Sequence, residues 1–329
     1  MDYNKNNSQM GFMKMVVKLK DVAELAGVSV TTVSRVINNY GSLSERTIKK
    51  VHEAMRKLNY QPNALARAMQ GKPSKFIGLI FPNITNPFYA ELINSLEYKL
   101  FKKGYKTIIA SSAQNEEIEH DYLGMLMANQ VDGIISGSHN LGIREYQQLS
   151  SPIVSFDRYL ADNVPIVAAD SYHGGQLSAQ YVVKKGARHV AVMIDEDTSV
   201  SPTLNRVQGA IDYLSQKHIT YTPLDRKHTN FDEVFPGEYD GVIATNDLQA
   251  LMIRNVGVKH GKKINEDFVV TGYDGTKVIL ATEPSLPTVI QPIGAIADEL
   301  IKTLMAKIKD PQAEVQPQQL KVTFHYPEM

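Results

Sequence analysis

From residue 76 onward the chain repeats one pattern. A short, nearly unbroken apolar run is followed by a longer amphipathic stretch. Runs of this kind at 76–81, 105–110, 132–136, 153–156, 167–169, 189–194, 241–245 and 268–273 are too short for helices and carry no in–out alternation. They predict parallel strands covered on both faces, with helices crossing between them. Helices are expected at 87–103, 116–130 and about 175–185, where apolar residues recur at helical spacing. Residues 76–329 therefore read as α/β, built either as two doubly wound units or as one large one. No run approaches the roughly 18 apolar residues of a membrane span.

The first 75 residues break this pattern, and here charge matters. The chain carries 35 Lys+Arg and 35 Asp+Glu, a formal net of zero. That zero is a cancellation. Residues 17–75 hold eleven bases and four acids, a net of +7, residues 1–16 hold +1, and residues 76–329 hold −8. A basic head on an acidic body points to a polyanionic partner for the head. The first 16 residues are Asn-rich and polar, read as a disordered tail, with Met10, Met13 and Met15 as possible alternative starts. They lack the charged-then-apolar order of a signal peptide, so a cytoplasmic protein is expected.

Residues 17–61 predict three short helices. The first, 20–26, ends at Gly27, a residue suited to a positive φ. Ser29 stands as N-cap of a second helix over 30–38. Val33, Val36 and Ile37 share its inner face, which leaves Thr31, Thr32, Ser34, Arg35 and Asn38 outward. The third helix runs over 44–58. Two helices joined by a glycine turn, the second with a polar outer face, form a helix-turn-helix. Its second helix would enter a major groove. There Arg35 can pair with guanine, and Val30 and Thr31 can meet a base edge or a thymine methyl. Ser29, Thr32, Ser34 and Asn38 suit phosphates. After Pro62, the segment 63–69 favours helix but is too short to persist alone in water. The stretch 71–74 then breaks the chain, so 62–75 is read as a hinge and linker.

With no cysteine in the chain, disulfides, thiolate metal sites and cysteine nucleophiles are excluded. No phosphate loop, nucleophile elbow, zincin or dinucleotide fingerprint is present, so neither an enzyme nor a cofactor is expected. The nine histidines show no metal spacing, and His120, His139 and His173 are read as surface residues. In doubly wound sheets ligands bind beyond the carboxyl ends of the strands. Polar residues there include Asn83, Asn86, Ser111, Ser112, Asp157, Arg158, Asp170, Asn246 and Asp274, with Phe88 nearby. Carboxylates and amides that pair hydroxyls, Arg for ring oxygens or a phosphate, and an aromatic for a ring face are what a sugar needs. Asp247 reads as a helix N-cap rather than a ligand contact.

The stretch 19–38, LKDVAELAGVSVTTVSRVIN, resembles the opening of the LacI/GalR family of bacterial repressors. The stretch 58–67, LNYQPNALAR, resembles that family's hinge. The likeness runs from about Lys18 to the end. It implies a homodimer or tetramer on a pseudo-palindromic operator, and a body of two lobes like a periplasmic binding protein. It also implies a hinge helix that folds on DNA, bringing Asn63 and Ala66 to it and wedging Met69 into the minor groove, where the family usually has Leu. By the same likeness Arg206, Asn246 and Asp274 fall at effector-contact positions, with Asp157, Phe88 and Asn86 where contacts commonly fall. The stretches 125–136 and 155–163 resemble the branch of the family that governs sucrose operons in Gram-positive bacteria. The expected function is repression of a sugar operon, modulated by a sugar or sugar phosphate. The alternatives are a catabolite-control regulator sensing a phosphorylated carrier protein, a repressor answering ribose or a purine, and a solute-binding or enzymatic body with an incidental head. Residues 318–329 carry no leucine heptads, which favours a dimer. The segment 221–238 is short for the family, which leaves the second lobe's edge open.

Overall fold

A computed structural model describes residues 17–38, 40–62, 73–140, 142–148, 151–194, 202, 204–225, 230, 232 and 239–327. The chain divides into two compact units, 1–70 and 71–329.

In the first unit α1 (Leu19–Ala26), α2 (Val30–Ile37) and α3 (Glu45–Lys57) enclose a small core of Val22, Ala23, Ala26, Val33, Val36, Val51 and Ala54. Gly27 ends α1 with φ 65° and ψ 39°. This left-handed conformation is adopted at least cost by a residue without Cβ. An added Cβ would meet nothing within 4 Å, so it is the backbone angle that calls for glycine. Ser29 caps α2 by accepting a hydrogen bond from the Thr32 amide at 3.1 Å. Ser44 does the same for α3 through the Thr47 amide. The second helix ends at Ile37, one residue earlier than its spacing predicts, because Asn38 is its C-cap.

The second unit holds two six-stranded sheets, so the choice between two doubly wound lobes and one resolves to two. The first sheet has the order β11-β5-β4-β3-β1-β2, all parallel, with β1 Phe76–Phe81, β2 Lys106–Ser111, β3 Gly133–Ser136, β4 Ile153–Phe156, β5 Ile166–Ala169 and β11 Gln318–Leu320. The second has the order β12-β10-β9-β8-β6-β7, with β6 His189–Ile194, β7 Thr220–Asp225, β8 Gly241–Ile243, β9 Val269–Asp274, β10 Thr288–Ile290 and β12 Thr323–His325. Only β12 runs antiparallel to its neighbour. The helices of the first lobe are α4 (Pro87–Lys102), α5 (Glu116–Ala128) and the short α6 (Glu145–Gln148). Those of the second include, among the described residues, α7 (Ser171–Lys184), α8 (Leu204–Gln216), α9 (Asp247–Lys259) and α10 (Lys277–Thr282). α11 (Ile293–Lys309) returns to the first lobe and packs on α4 and β4.

The chain crosses between lobes three times: after β5, between β10 and α11, and between β11 and β12. The strands that the sequence reading did not foresee are β7, β10, β11 and β12. Three of them are three-residue strands, too short to show a period. β7 is a half-exposed edge strand with Pro223 in it, a residue confined to edges. It supplies the second lobe's edge that the sequence left open.

Candidate functional site

Among the described residues of the first unit, the exposed face of α2 presents Ser29, Val30, Thr31 and Arg35 to solvent, with Thr32, Ser34 and Asn38 half-buried. Ser29 and Thr32 are already joined by the cap, Oγ to Oγ1 at 2.9 Å. The Asn38 amide turns back, donating from Nδ2 to the Ser34 carbonyl at 2.6 Å. Asn38 thus terminates the helix, while Val30, Thr31 and Arg35 remain open to a partner. Asn63, Ala66 and Met69, and with them the hinge helix, lie outside the described residues.

In the second unit a cavity of about 90 Å³ opens between the carboxyl ends of the two sheets. It is lined by Asn86, Phe88, Tyr89, Gly137, His139, Phe156, Asp157, Arg158, Arg206, Thr245, Asn246, Asp274 and Gln291. Seven residues expected from sequence meet here: Asn86, Phe88, Asp157, Arg158, Arg206, Asn246 and Asp274.

Asp170 does not line this cavity, contrary to the strand-end reading. It stands at the first crossing between lobes, where its amide donates to the Leu320 carbonyl at 2.7 Å and its carboxylate caps α7 through the His173 amide at 3.0 Å. A strand end at a lobe crossing connects the sheets instead of facing the ligand. His139, read as a surface histidine, is half-buried on the cavity wall, whereas His173 is exposed and His120 pairs with Glu145 at 2.6 Å. The expected Asp247 cap is also corrected: Asn246 caps α9 by accepting from the Gln249 amide at 2.9 Å.

The walls differ in chemistry. On the first lobe Phe88 lies 5.5 Å from Phe156 and 5.7 Å from Tyr89, centroid to centroid, an apolar bed for the face of a ring. Burial pushes the Tyr89 hydroxyl pKa well up, so it stays protonated. Tyr89 Oη and His139 Nε2 are 2.8 Å apart, and Arg158 Nη2 lies 3.2 Å from the same ring nitrogen.

On the second lobe Arg206 stacks on Tyr273, its guanidinium carbon 3.2 Å from the ring centroid, and donates from Nη1 to the Thr245 carbonyl. Arg206 Nε is buried and makes no hydrogen bond among the described residues. Arg206 is placed by a close helix crossing. A Cβ on Gly175 of α7 would sit 1.9 Å from the Arg206 carbonyl, and one on Gly209 of α8 2.0 Å from the Tyr172 carbonyl.

Two carboxylates end strands in an unusual backbone conformation. Asp157 has φ 58° and Asp274 φ 116°, and both are buried. Such angles cost energy in a residue with Cβ and mark sites where a side chain is held in place for use. Asp274 is fixed from both sides, since Gln291 Nε2 donates to its Oδ1 at 2.8 Å and the Gln291 amide to its carbonyl at 3.0 Å. The next amide, of Gly275, donates to Asp247 Oδ2 at 2.8 Å, and Asp247 Oδ1 accepts from the Thr288 hydroxyl at 2.5 Å. Burial pushes Asp274 up to about 8, the neighbouring Asp247 carboxylate adds to this, and Arg206 and Gln291 pull it back. Burial likewise raises Asp247 to about 6 against the pull of Thr288, the Gly275 amide and Arg206.

Tyr89, His139, Thr245 and Gln291 were missed from sequence. Among the described residues no helix is long and apolar enough to cross a membrane, and no group of three or more His, Asp or Glu is placed to hold a metal.

A helix-turn-helix unit and a two-lobed unit with a polar, aromatic-walled cleft define a ligand-responsive transcription regulator. Residues 18–63 match the model of the LacI family of bacterial regulatory proteins. Residues 74–228 match that of the periplasmic binding proteins and sugar binding domain of the LacI family, and 179–326 a periplasmic binding protein-like domain. The chain is 46% identical over 305 residues to a sucrose operon repressor of Pediococcus pentosaceus, covering 90% of this chain and 94% of that protein. It is 47% identical over 299 residues to one from Streptococcus mutans, covering 89% and 93%. Its fold matches the lac repressor dimer bound to operator and an anti-inducer with a TM-score of 0.80, over 94% of this chain and 98% of that one at 24% identity. The chain belongs to the LacI family of bacterial regulatory proteins.

Proposed function

We propose that this chain is a cytoplasmic repressor of a sucrose-utilisation operon and has no enzymatic activity. Its first unit reads a pseudo-palindromic operator and its cleft binds the sugar or sugar phosphate that modulates repression. The observation that carries the effector reading is the cleft itself. An aromatic bed faces buried Asp157, Asp274 and Arg158 and half-buried Arg206, a set suited to a polyhydroxylated ring. The names of the relatives point the same way.

In this reading Val30, Thr31 and Arg35 contact bases, and Ser29, Thr32, Ser34 and Asn38 contact or order the phosphate side. Asn63 and Ala66 approach DNA through the hinge, and Met69 wedges into the minor groove. Sugar binding favours one arrangement of the lobes, and its differential affinity for that state weakens operator binding. Two copies act together. Supporting this are exposed apolar residues Tyr98 and Phe101 on α4, Ile109 on the edge strand β2, Leu248 and Met252 on α9 and Val278 on α10.

A thermal-shift panel of sucrose, fructose, their phosphates, ribose and purines tests the effector, since a bound ligand raises apparent stability by mass action. A shift with sucrose, fructose or a derived phosphate is expected. A shift with ribose or a purine alone, or tightening on DNA only with a phosphorylated carrier protein, overturns the sucrose reading.

A further inference from the structure

Behind the first-lobe wall of the cleft lies a buried carboxylate that does not line the cavity. Glu119, on α5, is 0% exposed. The described residues that meet it are neutral donors. Its Oε2 accepts from the Ser138 hydroxyl and from Asn140 Nδ2 at 2.6 Å, and its Oε1 accepts from the Tyr146 hydroxyl. Ser136 Oγ reaches the same Tyr146 oxygen at 2.9 Å. Burial pushes the Glu119 carboxyl up, and the hydrogen bonds from Ser138, Tyr146, Asn140 and Ser112 pull it back. A carboxylate is a costly way to fill a core, since an apolar side chain of the same size needs no desolvation. What the carboxylate supplies is geometry.

Ser138 and Asn140 flank His139. One carboxylate oxygen holds residues 138 and 140 inward, which leaves 139 facing the other way. His139 is half-buried on the cavity wall, with Tyr89 Oη at 2.8 Å and Arg158 Nη2 at 3.2 Å. Two amide bonds brace the same loop, from Ser138 to Ser136 Oγ at 3.2 Å and from Asn140 to Ser138 Oγ at 3.1 Å.

We propose that Glu119 is a positioning residue of the effector cleft: by tethering Ser138 and Asn140 it presents His139 to the ligand, where the imidazole reads a sugar hydroxyl. The ligand half of this inference rests on the sugar reading above, and the positioning half does not.

Two measurements on the full chain separate them. The first needs no ligand. In Glu119→Gln the imidazole ring resonances of His139, assigned by their loss in His139→Ala, move while those of the histidines remote from the loop stay in place. Unmoved His139 resonances overturn the positioning role.

The second is calorimetric titration with sucrose and with fructose. His139→Ala weakens binding roughly tenfold, the size of one net hydrogen bond. Glu119→Gln weakens it less, and in the His139→Ala background adds nothing, because coupled residues are non-additive. Equal effects of Glu119→Gln with and without His139 show general destabilisation of the lobe and overturn the proposal. Where Glu119→Gln fails to fold, Asn140→Ala removes a single tether and takes its place in both measurements. Failure of the wild-type chain to bind any sugar overturns the sugar reading. Binding that is equal in wild type and variants overturns this inference alone.

Discussion

The two units of this chain hold their polar residues in opposite ways. In the first, Val30, Thr31 and Arg35 stand in water on a helix whose inner face closes over a small core of Val and Ala, rimmed by partly buried residues such as Leu19, Ile48 and Met55. In the second, Asp157, Arg158 and Asp274 are each more than nine-tenths buried and tied into networks. A surface that reads DNA gives up solvent only when the partner arrives. The cleft has already given it up, so Asp274 carries a raised pKa, and Asp157 and Asp274 carry strained backbone, before any ligand binds. Substitutions in the head should therefore change recognition and leave the fold alone, whereas substitutions around the cleft should change stability and recognition together.

The largest effect expected from this contrast is on stability. Gly209→Ala forces a Cβ into the space of the Tyr172 carbonyl, 2.0 Å away. It should destabilise the second unit by about 3 kcal/mol, the upper range of overpacking, and displace Arg206. Denaturant unfolding checks this, and an unchanged midpoint would show that α7 and α8 part easily.

Arg35→Ala comes next, with about 1–3 kcal/mol lost on operator and relaxed choice at one base pair. Unfolding and sugar binding should be unaffected. An equal loss on random duplex would reduce Arg35 to a phosphate contact.

Asp274→Asn tests the buried charge. An acid raised in the folded state, here to about 8 from about 3.9 when unfolded, holds a proton that the unfolded chain releases. Stability then falls as pH rises from about 4 to about 8, with Asp247, raised to about 6, adding its share in the lower part of that window. The Asn variant should flatten this decline, leave operator binding intact and abolish the response to sugar. A variant with the wild-type slope would remove Asp274 as its source, and a retained response would remove it from the site.

A salt titration separates the two units without any substitution. Operator affinity should fall steeply with log salt through counterion release, while sugar affinity hardly moves. A flat operator line would contradict the assignment of the +7 head to DNA.

The same contrast explains what was legible in the sequence. The head's signals are contiguous: Gly27, the Ser29 cap and the inner Val33 and Val36 all lie within one short stretch, and each appears in the structure where its spacing puts it. The cleft is assembled from strand ends far apart in the chain, and the strand-end rule brought Asn86, Phe88, Asp157, Arg158, Asn246 and Asp274 to one cavity, while Arg206 came from the family resemblance. The rule also chose Asn83, Ser111 and Ser112, which bond within their own loop region instead. It failed at Asp170 because a lobe crossing looks like any other strand end. Gln291 was missed because β10, three residues long, left no period to read. His139 was within reach of the rule, since it lies just beyond the expected strand over 132–136. The Glu119 tether was not, because sequence does not show which distant hydroxyls a helical carboxylate will meet.

The central claim is that the cleft and the operator-reading head are linked through a sugar. Operator affinity of the full chain, measured at fixed salt with and without saturating sucrose, fructose or their phosphates, tests it most directly. The account predicts that one of these sugars weakens operator binding by roughly 5- to 150-fold, the usual range of allosteric coupling, and that Asp274→Asn loses this effect. Operator affinity unchanged by a sugar that demonstrably occupies the cleft would contradict it.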